Sequence, residues 1–234
     1  MDFRLRPARD LGLAPGDRLK SLSREPGLVG LGLQGAWRRL VRLYLRVAHR
    51  LTVEGRENLP PPPFVLVANH ASHLDALVLM AVLRGTAARR AHALAAGELF
   101  FGNTAAALFS AYGLSALPVW RGRTGRHALA TLRARLSEDA LVYVLFPEGT
   151  RTRDGLMKPF QPGLGALVCA TTVPVVPAYI EGAFQAWPPQ RRRPRFGPVR
   201  VRIGAPIVFA DFYDTPDGWA AAAEETEEAV RALS

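Results

Sequence analysis

Two stretches decide the fold: FVLVANHASHLD (64–75) and ALVYVLFPEGTR (140–151). Each opens on an unbroken apolar run, Phe64 to Ala68 and Ala140 to Phe146, without the polar alternation of a half-exposed strand. Such runs fit strands buried on both faces, as in a parallel sheet covered by helices. Each run then stops abruptly in ionisable residues, at Asn69–His70 and at Glu148–Arg151. In open α/β sheets the chemistry lies outside the carboxyl ends of strands, so a site is expected at these two loops.

Outward from these stretches the same alternation continues. LTVEG (51–55), AHALAA (91–96), ALPVW (116–120), VPVVPAYI (173–180) and VRVRI (199–203) read as strands, and the prolines at 60–63 as a stiff extended lead-in. Helical patterns fall near 73–84, 98–112, 124–136, 163–172 and 219–233. The fold class expected is α/β: a single domain with a largely parallel or mixed central sheet flanked by helices, preceded by an N-terminal basic amphipathic helix. The chain divides into a loose polar arm (1–26), an amphipathic helix (27–51), a catalytic domain (52–210) and an acidic C-terminal helix packed on it (211–234).

Of the 234 residues, 49% are hydrophobic and 21% charged, which supports a packed core and argues against disorder. The net charge is +10, and residues 211–234 carry −6 of it, leaving +16 on the first 210 residues. Only Lys20 and Lys158 are lysines; every other base except histidine is arginine, which binds phosphate and carboxylate in a planar, two-pronged way. A basic body implies an anionic partner, whether nucleic acid, anionic membrane or phosphorylated substrate. The single Cys169 excludes an internal disulfide and reads as a small core residue. No apolar run approaches the roughly 18 residues of a spanning helix, and MDFRLRPARD lacks a secretory-signal core, so a cytoplasmic protein, soluble or surface-bound, is expected.

Between residues 37 and 51 the apolar side chains, Trp37 and Tyr44 among them, fall on one broad helix side and Arg38, Arg39, Arg42, Arg46, His49 and Arg50 on the other. An arginine-faced helix with interfacial aromatics suits a membrane surface, and its apolar side equally suits packing on the domain.

In the first loop, Ser72 and Asp75 have the spacing of a capping box opening the next helix. Positions five apart in a regular helix point about 140° apart. His70 and Asp75 therefore meet only if His70 lies in the loop and Asp75 in the first turn. A carboxylate on one imidazole nitrogen fixes the tautomer and makes the other nitrogen a general base. From this loop alone the pair is as well read as a helix cap beside a loop histidine, and His73 as a packing residue. In the second loop Arg151 fits a phosphate clamp, Gly149 permits close backbone approach, and Glu148 is placed to orient Arg151 or a substrate hydroxyl; read alone, the loop is also a surface turn with an incidental ion pair.

Taken together, NHxSHxD and FPEGTR resemble the motifs of the glycerolipid acyltransferase family typified by 1-acylglycerol-3-phosphate acyltransferases. The resemblance covers roughly residues 50–205. Asn69, His70 and Asp75 match its NHxxxxD block, and Phe146, Pro147, Glu148, Gly149, Thr150 and Arg151 match FPEGTR throughout. VEGRENLP (53–60), Asp154-Gly155-Leu156, Phe160-Gln161-Pro162-Gly163 and VPVVP (173–177) are similar to its flanking segments. The second block departs: Gly113 and Arg121 are kept, Trp120 stands where an acid is usual, and Ala96-Gly97-Glu98-Leu99 lacks the usual lysine.

The resemblance implies that His70 deprotonates the hydroxyl of a lysophospholipid, with Asp75 holding the imidazole, and that the oxygen attacks an acyl thioester. It implies a substrate-binding set of Asn69, Arg121 and Phe146 to Arg151. The donor is acyl-CoA or acyl carrier protein, with no cofactor and no metal. The expected acceptor is 1-acyl-sn-glycerol-3-phosphate; another lysolipid, such as an amino-acid-linked one, is the alternative that the missing lysine leaves open. With a bilayer-borne acceptor and no spanning segment, the protein is expected on the cytoplasmic face of the cell membrane, peripherally. Trp37, Arg38, Arg39, Arg42, Tyr44 and Arg46 then form the membrane interface. Two readings from other classes stand beside this. Gly30-Leu31-Gly32-Leu33-Gln34-Gly35 matches GxGxxG but has no strand before it. A nucleic-acid binder would use the basic body and Arg191-Arg192-Arg193-Pro194-Arg195, yet no nucleic-acid motif is present, so none is expected as partner. The sequence carries no signal of oligomeric state.

Overall fold

The structure is a computed structural model that describes residues 10, 12–14, 17, 21–22, 28–96, 110, 113–119 and 125–234. In chain order the described elements are α1 (Leu28–Ala48), β1 (Thr52–Glu54), β2 (Phe64–Ala68), α2 (Asp75–Val82), α3 (Gly85–Arg89), β3 (Ala91–Ala96), β4 (Leu117–Val119), α4 (Gly125–Glu138), β5 (Val142–Leu145), α5 (Gly165–Val168), β6 (Val175–Glu181), α6 (Ala183–Ala186), β7 (Arg200–Ile203) and α7 (Pro216–Arg231). The strands form one seven-stranded sheet in the order β1-β7-β6-β2-β5-β3-β4. Only the β6–β7 pair is antiparallel; β1–β7, β6–β2, β2–β5, β5–β3 and β3–β4 are parallel. The expected mixed α/β sheet is what the chain forms.

β2 and β5 lie at the centre, which is why their sequences lack alternation. Side chains leave a strand on opposite faces in turn, so a strand covered on both sides has no polar position. Phe64, Leu66 and Ala68 pack under α1, α2 and α6, with Val41, Leu45, Leu79 and Ala183. Val65 and Val67 pack on the other face against α4, α5 and α7, with Leu132, Leu136, Val168, Ala222 and Val230. Gly165 allows this second layer to close: a β-carbon there would stand 2.3 Å from the Trp219 backbone. α7 is acidic on its outside and also reaches back toward the second loop, where Glu227 accepts the Phe160 amide at 2.8 Å and Arg231 donates to the Met157 carbonyl at 3.1 Å.

Several boundaries differ from the sequence reading. α1 begins at Leu28, close to the expected start at 27, ends at Ala48 rather than 51, and runs through the whole GxGxxG stretch. Gly30, Gly32 and Gly35 are therefore helical and form no phosphate-binding loop. The helix expected at 163–172 spans only Gly165–Val168, and the one expected at 73–84 only Asp75–Val82. The short helices α3 and α6 carry too few residues for a period to be read. The helix expected at 98–112 apart from Ser110, most of the arm at 1–26, and Trp120 and Arg121 lie outside the described residues.

Among the described residues no helix is long and apolar enough to cross a membrane. The broad apolar side of α1 is split in two. Val41 and Leu45 are buried on the domain, while Leu33, Leu40, Leu43 and Val47 are 58–72% exposed. At 100° per residue the exposed four share one arc, and Arg39 and Arg46, both exposed, border it. The membrane-interface set is divided accordingly. Trp37 donates from Nε1 to the Gly113 carbonyl at 3.0 Å, and Arg38 to Ser115 Oγ at 3.3 Å. Arg42 donates to the Ala81 and Leu83 carbonyls at the end of α2, and Tyr44 hydrogen-bonds His49. Trp37, Arg38 and Arg42 hold the helix to the domain by hydrogen bonds, and Tyr44 packs against the core beneath it. Arg39, Arg46 and the outer leucines face outward.

Candidate active site

The fold brings the two loops together through strand order. β5 inserts beside β2 in parallel, with Val67 opposite Leu145, so the carboxyl ends of both strands finish side by side. Asn69 follows directly and is buried. Its side chain accepts the Ile180 amide at 2.8 Å and donates to the Ile180 carbonyl at 3.1 Å. Both ends of the amide are thus taken by β6. Asn69, expected among the substrate-binding residues, here acts as a strut that turns the chain out of the sheet.

His70 lies in the loop and Asp75 at the start of α2, the one arrangement in which they meet. Asp75 Oδ2 accepts from His70 Nδ1 at 2.9 Å and from the amides of Ala71 and Ser72 at 2.7 Å each. Asp75 is 1% exposed and its Oδ1 is buried without a partner. Half of the expected capping box is present, in the Ser72 amide on Asp75. The other half is not, since Ser72 Oγ accepts from Leu74 N and donates to the Trp187 carbonyl. With Nδ1–H donated to Asp75, the Nε2 lone pair is available, and no hydrogen bond to it is made among the described residues. The His70 ring stacks on Phe146, with centroids 4.2 Å apart and planes 18° from parallel. FPEGTR therefore supplies one wall of the histidine.

Glu148 is buried and joins the loops. Its Oε1 accepts the His70 amide at 2.7 Å and its Oε2 the Lys158 amide at 3.0 Å. Both oxygens thus meet backbone amides, one of them that of His70, and the carboxylate ties the histidine loop to the second loop rather than pairing with Arg151. Burial raises its carboxyl above the ordinary range, against the pull of the two amides. The Thr152 amide on the His70 carbonyl, at 2.9 Å, is a second tie between the loops. Pro147 is buried and its carbonyl accepts the Gln161 amide at 2.9 Å. Gly149 sits at φ 74°, in the left-handed region that favours glycine.

Arg151 is half-buried and reaches His73 rather than Glu148. Its Nη1 meets Nδ1 of His73, whose Nε2 donates to the Pro189 carbonyl at 3.3 Å. Trp187 covers the same ring at 5.0 Å. Burial, then the Arg151 charge, hold His73 below its ordinary titration range, which keeps Nδ1 a neutral acceptor. Lys158 adds a second cation: its Nζ lies 3.3 Å from Thr150 Oγ1 and 3.4 Å from the Arg151 carbonyl. Lys158 does not figure in the site read from sequence, although the rarity of lysine is a usable signal for it; His73 reads there as a second candidate histidine beside a packing role, with no pointer to Arg151. Arg121 is not among the described residues.

The sequence pattern of the Acyltransferase family matches residues 50–181. The chain belongs to the acyltransferase family. Human 1-acyl-sn-glycerol-3-phosphate acyltransferase alpha is 31% identical over 199 residues, 82% of this chain and 67% of that protein. The bovine enzyme of the same name is 32% identical over 176 residues, 72% of this chain and 58% of that protein. The chain thus spans about three fifths to two thirds of these relatives. The crystal structure of the 1-acyl-sn-glycerophosphate acyltransferase PlsC from Thermotoga maritima shares the fold. Its TM-score is 0.66 at 24% identity, over 87% of this acyltransferase and 78% of that chain.

Proposed function

We propose that this acyltransferase moves a fatty acyl group from a thioester to the free hydroxyl of a lysophospholipid, 1-acyl-sn-glycerol-3-phosphate first among them, giving phosphatidic acid. One observation carries the reading: a histidine with Nδ1 committed to a buried aspartate and Nε2 unoccupied stands beside a mouth bearing Arg151 and Lys158. His70 Nε2 takes the acceptor proton as the oxygen attacks the thioester carbonyl. The tetrahedral adduct collapses with cleavage of the carbon–sulfur bond, and the imidazolium returns its proton to the leaving thiolate. Asp75 stays ionised and stabilises the imidazolium. Arg151 and Lys158 meet the acceptor phosphate, with Arg121 as a further ligand by family resemblance. The relatives' names support the acceptor.

The donor is acyl-CoA or acyl carrier protein. The protein works peripherally on the cytoplasmic face of the membrane, with Leu33, Leu40, Leu43 and Val47 of α1 in the interface. The test is acyl transfer by the purified protein across a panel of lysolipids, with either donor, read by mass spectrometry. Transfer is expected, fastest to lysophosphatidic acid. Transfer to none of the panel would refute the proposal, and preference for an amino-acid-linked lysolipid would refute the acceptor.

A further inference from the structure

The arginine cluster 191–195 has no part in the chemistry above, yet it is held in a defined place. One end of its loop is tied to the histidine loop: the Trp187 carbonyl accepts the His73 amide at 3.1 Å and Ser72 Oγ at 2.8 Å. The Gln190 side chain donates to the Arg153 carbonyl at 2.8 Å, and Trp187 Nε1 to the Arg191 carbonyl at 2.9 Å. The Arg195 amide donates to the Ala186 carbonyl at 2.8 Å. The other end is tied to α1, with the Gly197 amide on the Ala48 carbonyl at 3.3 Å and the Val199 amide on the His49 carbonyl at 2.9 Å.

These bonds use the backbone and leave the charges outward. Arg192, Arg193 and Arg195 are exposed, and among the described residues no carboxylate pairs with them. Phe196 is 81% exposed in the midst of them. The Gly197 amide on the Ala48 carbonyl brings the end of this loop, with Phe196, to the C-terminal end of α1, where Val47 lies. Val47 is itself 72% exposed and closes the outer stripe of α1 beside Arg46. Cationic heads flanking an aromatic, continuous with an apolar helix stripe, match a headgroup layer: anionic phosphate outside, hydrocarbon beneath.

We infer that the loop from Trp187 to Gly197 is a second membrane contact, in which Arg192, Arg193 and Arg195 bind the phosphates of anionic lipids and Phe196 enters the interface beside Val47. This rests on the proposed bilayer-borne acceptor and deepens it. Two contacts fix an orientation that one helix leaves free to roll, and the second is hydrogen-bonded to the loop that carries His70.

The test uses the full chain and the triple variant Arg192→Ser/Arg193→Ser/Arg195→Ser. Binding is read by co-sedimentation with phosphatidylcholine vesicles, with and without phosphatidylglycerol. Each arginine at an anionic leaflet is worth about fivefold in partition, so the triple variant should lose on the order of a hundredfold on mixed vesicles and little on neutral ones. Phe196→Ser should weaken binding to both vesicle types and be insensitive to salt. Initial rates on a short-chain, monomeric lysolipid with acyl-CoA should be unchanged in both variants. Undiminished binding of the triple variant to mixed vesicles would overturn the inference. So would a loss confined to rates with acyl carrier protein as donor, which would make that protein the partner of the loop. Failure of the wild-type protein to acylate the soluble lysolipid would instead refute the proposed function, while the vesicle comparison still decides the loop.

Discussion

His70 Nδ1 lies 2.9 Å from Asp75 Oδ2, and the same oxygen accepts the amides of Ala71 and Ser72. One buried carboxylate oxygen thus sets the ring orientation, the tautomer and the shape of the loop that carries the ring. Replacing Asp75 by Asn removes the charge and puts an amide nitrogen on one of the two oxygen positions. Facing His70, that nitrogen imposes the wrong tautomer; turned away, it is a buried donor with no acceptor. The turnover of Asp75→Asn is expected to fall about 10²- to 10⁴-fold with a small change in acceptor KM. The melting curve should report a loss of about 1–3 kcal/mol.

Arg151→Ala should do the reverse. Its guanidinium meets His73 rather than His70, and in the proposed reaction it binds phosphate and moves no proton. Loss of a charge-assisted contact to phosphate is expected to raise KM for a phosphorylated acceptor on the order of tenfold to a hundredfold, with kcat falling less. Lys158→Ala, at a more exposed cation, should show the same pattern more weakly. Steady-state kinetics with lysophosphatidic acid and with an uncharged monoacylglycerol separate the two cases, since the uncharged acceptor should not respond.

His73 gives the site a pH dependence of known sign. Its titration is held below the ordinary value of 6.5 by burial and by Arg151. Between that lowered value and 6.5 the unfolded chain binds the proton and the folded chain does not. The stability it contributes is therefore complete above 6.5 and is lost as pH falls through the lowered value. Protonation also sets a cation against Arg151 and removes its acceptor. Acceptor KM should rise on acidification in the wild type, and His73→Asn should flatten both that rise and the acid limb of a melting-temperature profile. Unchanged profiles in the variant would assign the acid limb to another group.

α1 offers two opposite outcomes from neighbouring positions. Leu45 is 0% exposed, and Leu45→Ala is expected to cost about 2–5 kcal/mol in chemical denaturation. Leu40, Leu43 and Val47 are at least 58% exposed, and their joint replacement by serine should leave the melting temperature nearly unchanged while reducing vesicle binding severalfold.

That contrast shows where sequence reading stopped. β2 and β5 were legible because burial on both faces removes every polar position, and the loops after them because ionisable residues there are costly without a use. The apolar arc of α1 spans about half the helix, and the local pattern carries no mark of which half meets the domain; Trp37 is held by Gly113 and Arg42 by Ala81 and Leu83, all distant in the chain. The Asn69 strut depends on Ile180, 111 residues away. His73 acquires its role only when β5 brings Arg151 beside it. Glu148 reads in the sequence as orienting Arg151 or a substrate hydroxyl, whereas its oxygens meet the amides of His70 and Lys158. In each case the missing information is strand order, which local spacing does not encode.

The most direct measurement of the central claim is acyl transfer from acyl-CoA to lysophosphatidic acid by purified wild-type protein and by His70→Ala, with folding of both checked by circular dichroism. Among the described residues the His70 ring hydrogen-bonds only Asp75 and stacks on Phe146 at the edge of the site, so the variant should fold as the wild type does. The account predicts phosphatidic acid from the wild type and a rate lower by at least about 10²-fold from the variant. A folded His70→Ala protein that keeps most of the wild-type rate would contradict it.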